Sequence, residues 1–540
     1  MPRKIAVAAR GSAADGPKGN AVIVLIMCAA VGLIIANMVI PTIAIPEIGR
    51  SLRASQSQVQ WIGDVYPLVL AGLLLPAGAL ADRFGRKRGL ICGLAILAVS
   101  LAWSAYTPSA DQLILSRTFA GVGAALAFPA TLATITSTFD ASKRGGAVGL
   151  WALSTIVGGF VGFLMGGALT QYFWWGASFV ACAVLVLACL IVTVLIVPET
   201  RDPAHANFDP VGATLSCAGI GAFVLAVTEE PLRGWSDDLT VGGLVVGTIG
   251  LVAFIAWELR APRPLLDLRH FRDRSFGIAS LTIFVMFMCD LGVFFLYFQY
   301  DADVLGYGPL KSAIRFIPAC AALLPIAPLG PVAARRFGRR LVLSTAMTIC
   351  AVGYFLTAVV GDDGSYWAFT VCLGVFWAGV ALAMGPATEA IIEALPPAEQ
   401  GVASAVNDLA RELGAAVGIA VIGSAFNAGY RSRVSHLLGP RSGSIGAAIK
   451  NSPTTGLQAV ARLGAGSQPR IAVIHEGFFA GFRAAMLTGT VALVAVAICV
   501  ALRYPSSRRV PALSPVENHA GPGGGTEECL SVPHVPDLHV

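Results

Sequence analysis

Five carboxylates stand in or beside long apolar runs of this chain: Asp64, Asp290, Glu389, Asp408 and Glu412. An acid at the middle of a membrane helix costs about 2.5–3.5 kcal/mol on insertion scales, so it is expected to be functional or paired. Desolvation moves a carboxyl pKa toward working pH, and a nearby cation moves it back. Such a group can carry a proton and can also be the counter-ion of a lipophilic cation. Asp290 stands in Phe287-Met288-Cys289-Asp290-Leu291-Gly292, where Phe287, Phe294 or Phe295 offers a cation–π face to a flat cation. Pairing to another helix is the plain alternative. Asp408 and Glu412 are four apart and share one helix face, with Arg411 available to neutralise either. Asp64 reads as a proton site or as an interfacial residue near its helix end. Glu389, in Gly385-Pro386-Ala387-Thr388-Glu389, reads as a site or as a cytoplasmic residue at the inner end of its helix. Arg117 is the one basic residue deep in the N-terminal half. It is suited to order a carboxylate and couple its protonation to helix movement, or to hold a static pair.

The elements that must position these groups are membrane helices. Of 540 residues, 56% are apolar and only 13% charged, with a mean hydropathy of +0.74. A soluble domain averages about 25% charged residues, so a soluble enzyme, a nucleic-acid binder and a disordered chain are excluded. Apolar runs of spanning length fall near 21–43, 59–80, 88–106, 112–138, 145–170, 174–197, 211–229, 238–258, 275–299, 310–333, 341–360, 366–389, 402–427 and 482–503, fourteen in all. No histidine lies in these spans, which leaves proton work to carboxylates. Alternate connections carry the positive charge: Arg83, Arg86, Lys87 and Arg88; Lys143 and Arg144; Arg260, Arg263, Arg269, Arg272 and Arg274; Arg335, Arg336, Arg339 and Arg340. The intervening connections hold mostly acids, with Arg50, Arg53 and Arg233 as exceptions. By the positive-inside rule, both termini are then cytoplasmic. Residues 428–481 form a long external connection, and the Pro- and Gly-rich stretch after Arg509 reads as a disordered tail. The scattered cysteines, such as Cys92, Cys182, Cys189 and Cys350, read as small apolar residues rather than metal ligands.

A second constellation is Gly78-Ala79-Leu80-Ala81-Asp82-Arg83-Phe84-Gly85-Arg86-Lys87-Arg88, between spans two and three. Gly78 permits close helix approach, and Gly85 permits a turn that other residues resist. Asp82 can pair with an arginine or sit at a helix N-terminus, latching two halves together. Arg335-Arg336-Phe337-Gly338-Arg339-Arg340 repeats the turn between spans ten and eleven, with Arg335 in place of the acid. Duplicated halves are a common build of secondary transporters. The chain has no Gly-Lys dipeptide, hence no Walker A sequence, and no HExxH or nucleophile elbow, so it is not expected to be an enzyme or to need a cofactor or metal.

The turn matches the G-x-x-x-D-R-x-G-R-[RK] signature of the major facilitator superfamily. Trp61-Ile62-Gly63-Asp64-Val65-Tyr66-Pro67 resembles the second helix of its 14-helix drug:proton antiporters, especially the quaternary ammonium compound exporters. Leu113-x3-Arg117-x3-Gly121-x-Gly123 is similar to that family's fourth helix, and Gly158-x3-Gly162-Phe163-x2-Gly166-Gly167 to its fifth-helix antiporter motif. Phe173-Trp174-Trp175-Gly176, Gly306-Tyr307-Gly308-Pro309-Leu310 and Arg315-Phe316-Ile317-Pro318 continue the likeness over roughly residues 21–503. Asp408 and Glu412 match acids of the family's thirteenth helix, where Asn407 stands in for one member of an acid pair. Two further departures are Asn37 for the usual first-helix acid, and Phe163 for the motif proline.

The resemblance implies an all-α major facilitator fold of fourteen transmembrane helices. A cytoplasmic segment 1–20 precedes a six-helix lobe at 21–197; a central helix pair with its loops (198–274), a second six-helix lobe (275–503) and a tail (504–540) follow. It implies proton-driven export of hydrophobic, mainly cationic drugs across a bacterial inner membrane by a monomer, with protons and the lipid bilayer as the other partners. Export of a native metabolite, lipid precursor or siderophore, an uptake symporter and a non-transporting receptor remain open alternatives.

Overall fold

The computed structural model describes residues 17–139, 141–199, 209–233, 237–262, 264–321, 323–360, 366–395, 400–438, 443–461 and 468–505. Most of the expected cytoplasmic N-terminal segment, the connection 200–208 and the expected tail from 506 onward lie outside them. Every long element is a helix, because a chain in lipid must satisfy its backbone groups within itself. The first six are α1 (Pro17–Ser51), α2 (Gln56–Phe84), α3 (Arg86–Ala105), α4 (Ala110–Thr138), α5 (Ala141–Tyr172) and α6 (Trp175–Ile196). Then come α7 (Pro210–Arg233), α8 (Asp238–Glu258) and α9 (Arg274–Asp303). Three short pieces follow, α10 (Pro309–Cys320), α11 (Leu323–Ile326) and α12 (Leu329–Phe337). The chain continues with α13 (Arg339–Val360), α14 (Tyr366–Glu393), α15 (Gln400–Leu438), α16 (Gly443–Asn451), α17 (Pro453–Ala461) and α18 (Gln468–Arg503).

Helices α1 to α6 pack on one another, α1 most extensively on α5 and α3 on α4. Helices α9, α13, α14, α15 and α18 form the second set. The pair α7 and α8 pack together, and α7 lies against both α2 and α15, one helix from each set. Outer helices expose large apolar side chains, including Leu185, Ile191 and Leu195 on α6 and Val246, Ile249 and Val252 on α8. In water so much exposed apolar surface would drive association; against lipid chains it costs nothing.

Thirteen helices of the described residues are long and apolar enough to span, and fourteen if one bent pair counts as a single span. That pair occupies the run expected as a continuous helix at 310–333. Instead the chain bends by 43° where α10–α11 meets α12. Pro318, Pro325, Pro328 and Pro331 explain it, since each lacks the N–H that a helix interior needs.

The long connection expected at 428–481 is also different. Helix α15 runs on to Leu438 and α18 already starts at Gln468, with α16 and α17 between them. At 39 and 36 residues, α15 and α18 are ~59 and ~54 Å long, well beyond a hydrocarbon core of about 30 Å. Their overshoot carries His436 and His475. Tyr430 Oη donates to the carbonyl of Ile449 at 2.7 Å, and Thr454 Oγ1 donates to Asp303 at 2.8 Å. These bonds tie the overshoot and the two short helices to the bundle. A charged, partly polar segment looked loop-like by hydropathy, but helix continuation needs only backbone hydrogen bonds, not apolar side chains.

Candidate functional site

At one end of the bundle, both copies of the repeated turn close on a glycine in the left-handed region, Gly85 at φ 112° and Gly338 at φ 86°. Asp82 is buried, and its Oδ1 accepts from Arg86 Nε and Nη2 at 3.1 and 2.9 Å. Its Oδ2 accepts from the backbone N–H of Val402 at 3.2 Å, in the first turn of α15. A helix N-terminus presents unsatisfied N–H groups and positive potential, so a carboxylate is favoured there. Ser404 Oγ adds a bond to the carbonyl of Pro129 at 3.0 Å. The second copy lacks the acid, and Arg339 pairs instead with Glu389 at 3.3 Å and Glu393 at 2.7 Å, both from α14. Glu389 also abuts α5: a Cβ on Gly145 would lie 3.0 Å from its Oε1. Glu389 therefore belongs to the closed end, not to the interior. Arg83 is half-buried and lies over Phe84, and Gly78 is buried within α2.

The interior holds a cavity of about 140 Å³ between the two helix sets. Asp290 from α9 and Arg411 and Glu412 from α15 line it, with Met38 from α1 and Thr155 from α5 opposite. Asp408 is fully buried one turn before Glu412, and its Oδ1 accepts from Asn407 Nδ2 at 3.1 Å. Arg411 lies within electrostatic reach of Asp408, Glu412 and Asp290. Three carboxylates around one guanidinium give the cluster a net of −2 when all are ionised.

The cavity wall is aromatic. Phe163 stacks on Phe298 at 4.5 Å and meets Phe294 edge-on at 5.4 Å. Phe160 stacks on Phe316 at 5.4 Å, and Phe316 meets Trp377 at 6.1 Å. Phe163, the departure from the motif proline, thus faces the opposite helix set. Of the phenylalanines named beside Asp290, Phe287 and Phe294 line the cavity. Phe295 is 43% exposed, because one residue further turns it about 100° around the helix, toward lipid.

The helix-five glycines divide into two kinds. A Cβ on Gly158 would fall on the backbone of Gly32, and one on Gly162 would lie 2.6 Å from Ala36 Cα. These two positions let α1 and α5 touch backbone to backbone. At Gly166 and Gly167 the nearest atoms are 3.4 Å away, which is ordinary contact.

Arg117 is fully buried, but its partner is not an acid. Its Nη1 donates to Asn37 Oδ1 at 2.9 Å and to the Asn37 carbonyl at 3.1 Å, and its guanidinium lies 4.6 Å from the Tyr66 ring centre. Arg117 Nε and Nη2 meet no hydrogen-bond acceptor. The first-helix departure and the fourth-helix arginine are therefore one interaction. Asp64 is half-buried on α2, two turns from the Ser55 cap where Ser55 and Gln58 bond each other reciprocally. The structure thus brings Asp290, Glu412 and Asp408 together and leaves Asp64, Arg117 and Glu389 elsewhere. The sequence marks Arg411 only as a neutralising charge and gives no sign of Thr155, Phe160 or Trp377. No local pattern marks them, since each is one polar or aromatic residue on an apolar helix. The described cysteines are free thiols.

The sequence profile of the Major Facilitator Superfamily matches residues 25–419. Multidrug efflux pump LfrA of Mycolicibacterium smegmatis is 35% identical over 74% of this chain and 80% of its own length. Methyl viologen resistance protein SmvA of Salmonella typhimurium is 31% identical over 71% of this chain and 77% of its own. Among solved structures, the human organic anion transporter MFSD10 superposes with a TM-score of 0.59 at 14% identity, covering 90% of this chain and all of that one. That likeness speaks for the fold alone.

Proposed function

The chain belongs to the Major Facilitator Superfamily, and from that premise we propose that it is a proton-driven exporter of hydrophobic cations. The observation that carries the reading is the cavity: an aromatic chamber between the two helix sets, with Asp290 and Glu412 in its wall. Relatives named for multidrug efflux and for methyl viologen resistance support the same substrate class. Aromatic faces attract a flat cation, and ionised carboxylates neutralise it. A proton can neutralise the same carboxylates, so cargo and proton compete for one site, which is the condition for exchange. The membrane potential supplies ~2.3 kcal/mol per charge per 100 mV.

The charge bias of the connections supports an orientation with both termini and the Asp82 turn in the cytoplasm of a bacterial inner membrane. In that orientation the closed end faces inward, and cargo in the cavity is cut off from the cytoplasm. Rocking of one helix set against the other about the cavity would open that end, so that cargo can load from the cytoplasm. A monomer contains the whole cavity, and drugs, protons and lipid are the only partners this scheme requires.

The test is ethidium efflux from energised cells, for wild type and Asp290→Asn, with a protonophore control. Efflux should collapse with the protonophore and with the substitution. Efflux that survives Asp290→Asn would move the site away from Asp290. Absence of efflux by a well-folded, membrane-located wild type would refute cation export.

A further inference from the structure

The wall of the cavity already carries a cation, and it belongs to the protein. The Arg411 guanidinium lies 4.8 Å from the centre of the Trp151 ring and 5.0 Å from that of Phe287. Trp151 comes from α5 in the first helix set and Phe287 from α9 in the second. Trp151 is held in place because its Nε1 donates to Thr131 Oγ1 at 2.8 Å. Arg411 Nη1 also donates to Thr155 Oγ1 of α5 at 3.4 Å, a long bond. Flat faces from both sets, with carboxylates beside them, are what a planar organic cation would need, and Arg411 fills them.

The hold on Arg411 is weak in a specific way. Its Nε and Nη2 make no hydrogen bond, although the residue is almost fully buried. Asp290 Oδ1 and Asp408 Oδ2 likewise lack a donor. Arg86 and Arg339 at the closed end have direct ion pairs; Arg411 has none among the described residues. A guanidinium held by ring contacts and one long hydrogen bond, without an ion pair, can be exchanged for another cation that makes the same ring contacts. Asp408 lies three residues before it on α15, which puts the unmet Oδ2 on a neighbouring position of the helix.

We propose that Arg411 is a tethered surrogate of the cargo cation, which cargo displaces from between Trp151 and Phe287 onto Asp408. This rests on the reading of the protein as a cation exporter. The displacement exchanges one positive charge for another near Asp290 and Glu412, so loading does not change the charge balance at those two carboxylates. It also releases the Thr155–Arg411 bond and the Trp151 stack, both of which join α5 to α15. Loading is thereby linked to loosening of the contact between the two sets. It assigns Asp408 a task that its position outside the cavity wall does not suggest: a parking place for the displaced guanidinium.

The experiment measures binding of ethidium, a planar cation, to purified full-length protein in nanodiscs, with monodispersity as the folding check. Arg411→Gln removes the surrogate and should tighten binding by about thirtyfold, the worth of a desolvated cation–π contact. Arg411→Lys keeps a charge and should stay near wild type. Thr155→Val leaves every charge in place, so it is safe for folding; it should also tighten binding, by less. Asp408→Asn should weaken binding in the wild type but not in the Arg411→Gln background, a coupling a purely structural role would not produce. Unchanged or weaker binding in folded Arg411→Gln and Thr155→Val, or an equal loss from Asp408→Asn in both backgrounds, overturns the proposal. If wild type binds the probe and Asp290→Asn abolishes binding, such a result removes the surrogate and leaves cation export standing. If neither wild type nor any variant binds, cation export falls and the surrogate with it.

Discussion

Replacing Asp82 by Asn should open the turn-bearing end of the bundle without unfolding it. Two of the bonds of Asp82 differ in kind. The one to Arg86 is local, four residues apart across one turn, and travels with that turn in any conformation. The bond from the Val402 N–H exists only while α15 sits against α2. Of these two, the second discriminates closed from open. A hydrogen bond to a charged group contributes about 1.5–3 kcal/mol, and charge at a buried helix N-terminus adds up to ~2 kcal/mol. The amide of Asn can still accept from Val402 but carries no charge. Taking a loss of about 2 kcal/mol gives an open population roughly thirtyfold larger. Hydrogen exchange read by mass spectrometry reports this directly, because the first turn of α15 is protected by that contact. A peptide covering Val402 to Leu409 should exchange about thirtyfold faster, while α13 and α14, held by Arg339 with Glu389 and Glu393, change little. Unchanged exchange at 402–409, or an equal rise throughout the protein, would show that the Val402 bond is not a latch.

Gly158→Leu should lower the melting temperature and prevent α1 from seating on α5, at a cost of about 1–3 kcal/mol, whereas Gly166→Ala should leave thermal unfolding within about 0.5 kcal/mol; equal effects would refute the distinction drawn from the backbone contact with Gly32. Asn37→Asp should raise thermal stability, because buried Arg117 gains a charged acceptor in place of an amide at 2.9 Å, a change from about 1 to about 1.5–3 kcal/mol for the bond. Efflux of a divalent cation appearing in that variant with no change in melting would instead mean that the new acid faces cargo. Phe163→Ala should weaken binding of an aromatic cation by up to about tenfold, since it removes a ring packed on Phe298 and Phe294; equal affinity of wild type and variant, read by equilibrium binding, would remove Phe163 from the cargo wall.

Much of the architecture is legible from the residues alone because its causes are local. The length of an apolar run sets whether a segment can span. Gly85 is marked as a turn former by its motif, and it and its counterpart Gly338 in the repeat both adopt positive φ, since the repeated motif carries its own conformational requirement. The proline-rich run 318–331 was legible too late: hydropathy counted one span, while four missing N–H groups bent it. The overshoot of α15 and α18 escaped for the opposite reason, as polarity ends a membrane but not a helix.

The candidate site divides the same way. That this chain holds carboxylates where lipid penalises them, and an aromatic-rich setting around Asp290, follows from the order of residues. Which carboxylates act together does not. Asp290 and Glu412 line one cavity only because α9 packs on α15, and Glu389 leaves the group because Arg339 claims it at the closed end. Arg117 and Asn37, eighty positions apart, become one pair only when α4 and α1 touch. Arg411 is a neutralising charge in the sequence, and its lodging between Trp151 and Phe287 exists only where three helices from two halves converge. Local patterns record what each helix needs for its own stability in lipid. The cavity is a relation between helices, and tertiary packing alone decides it.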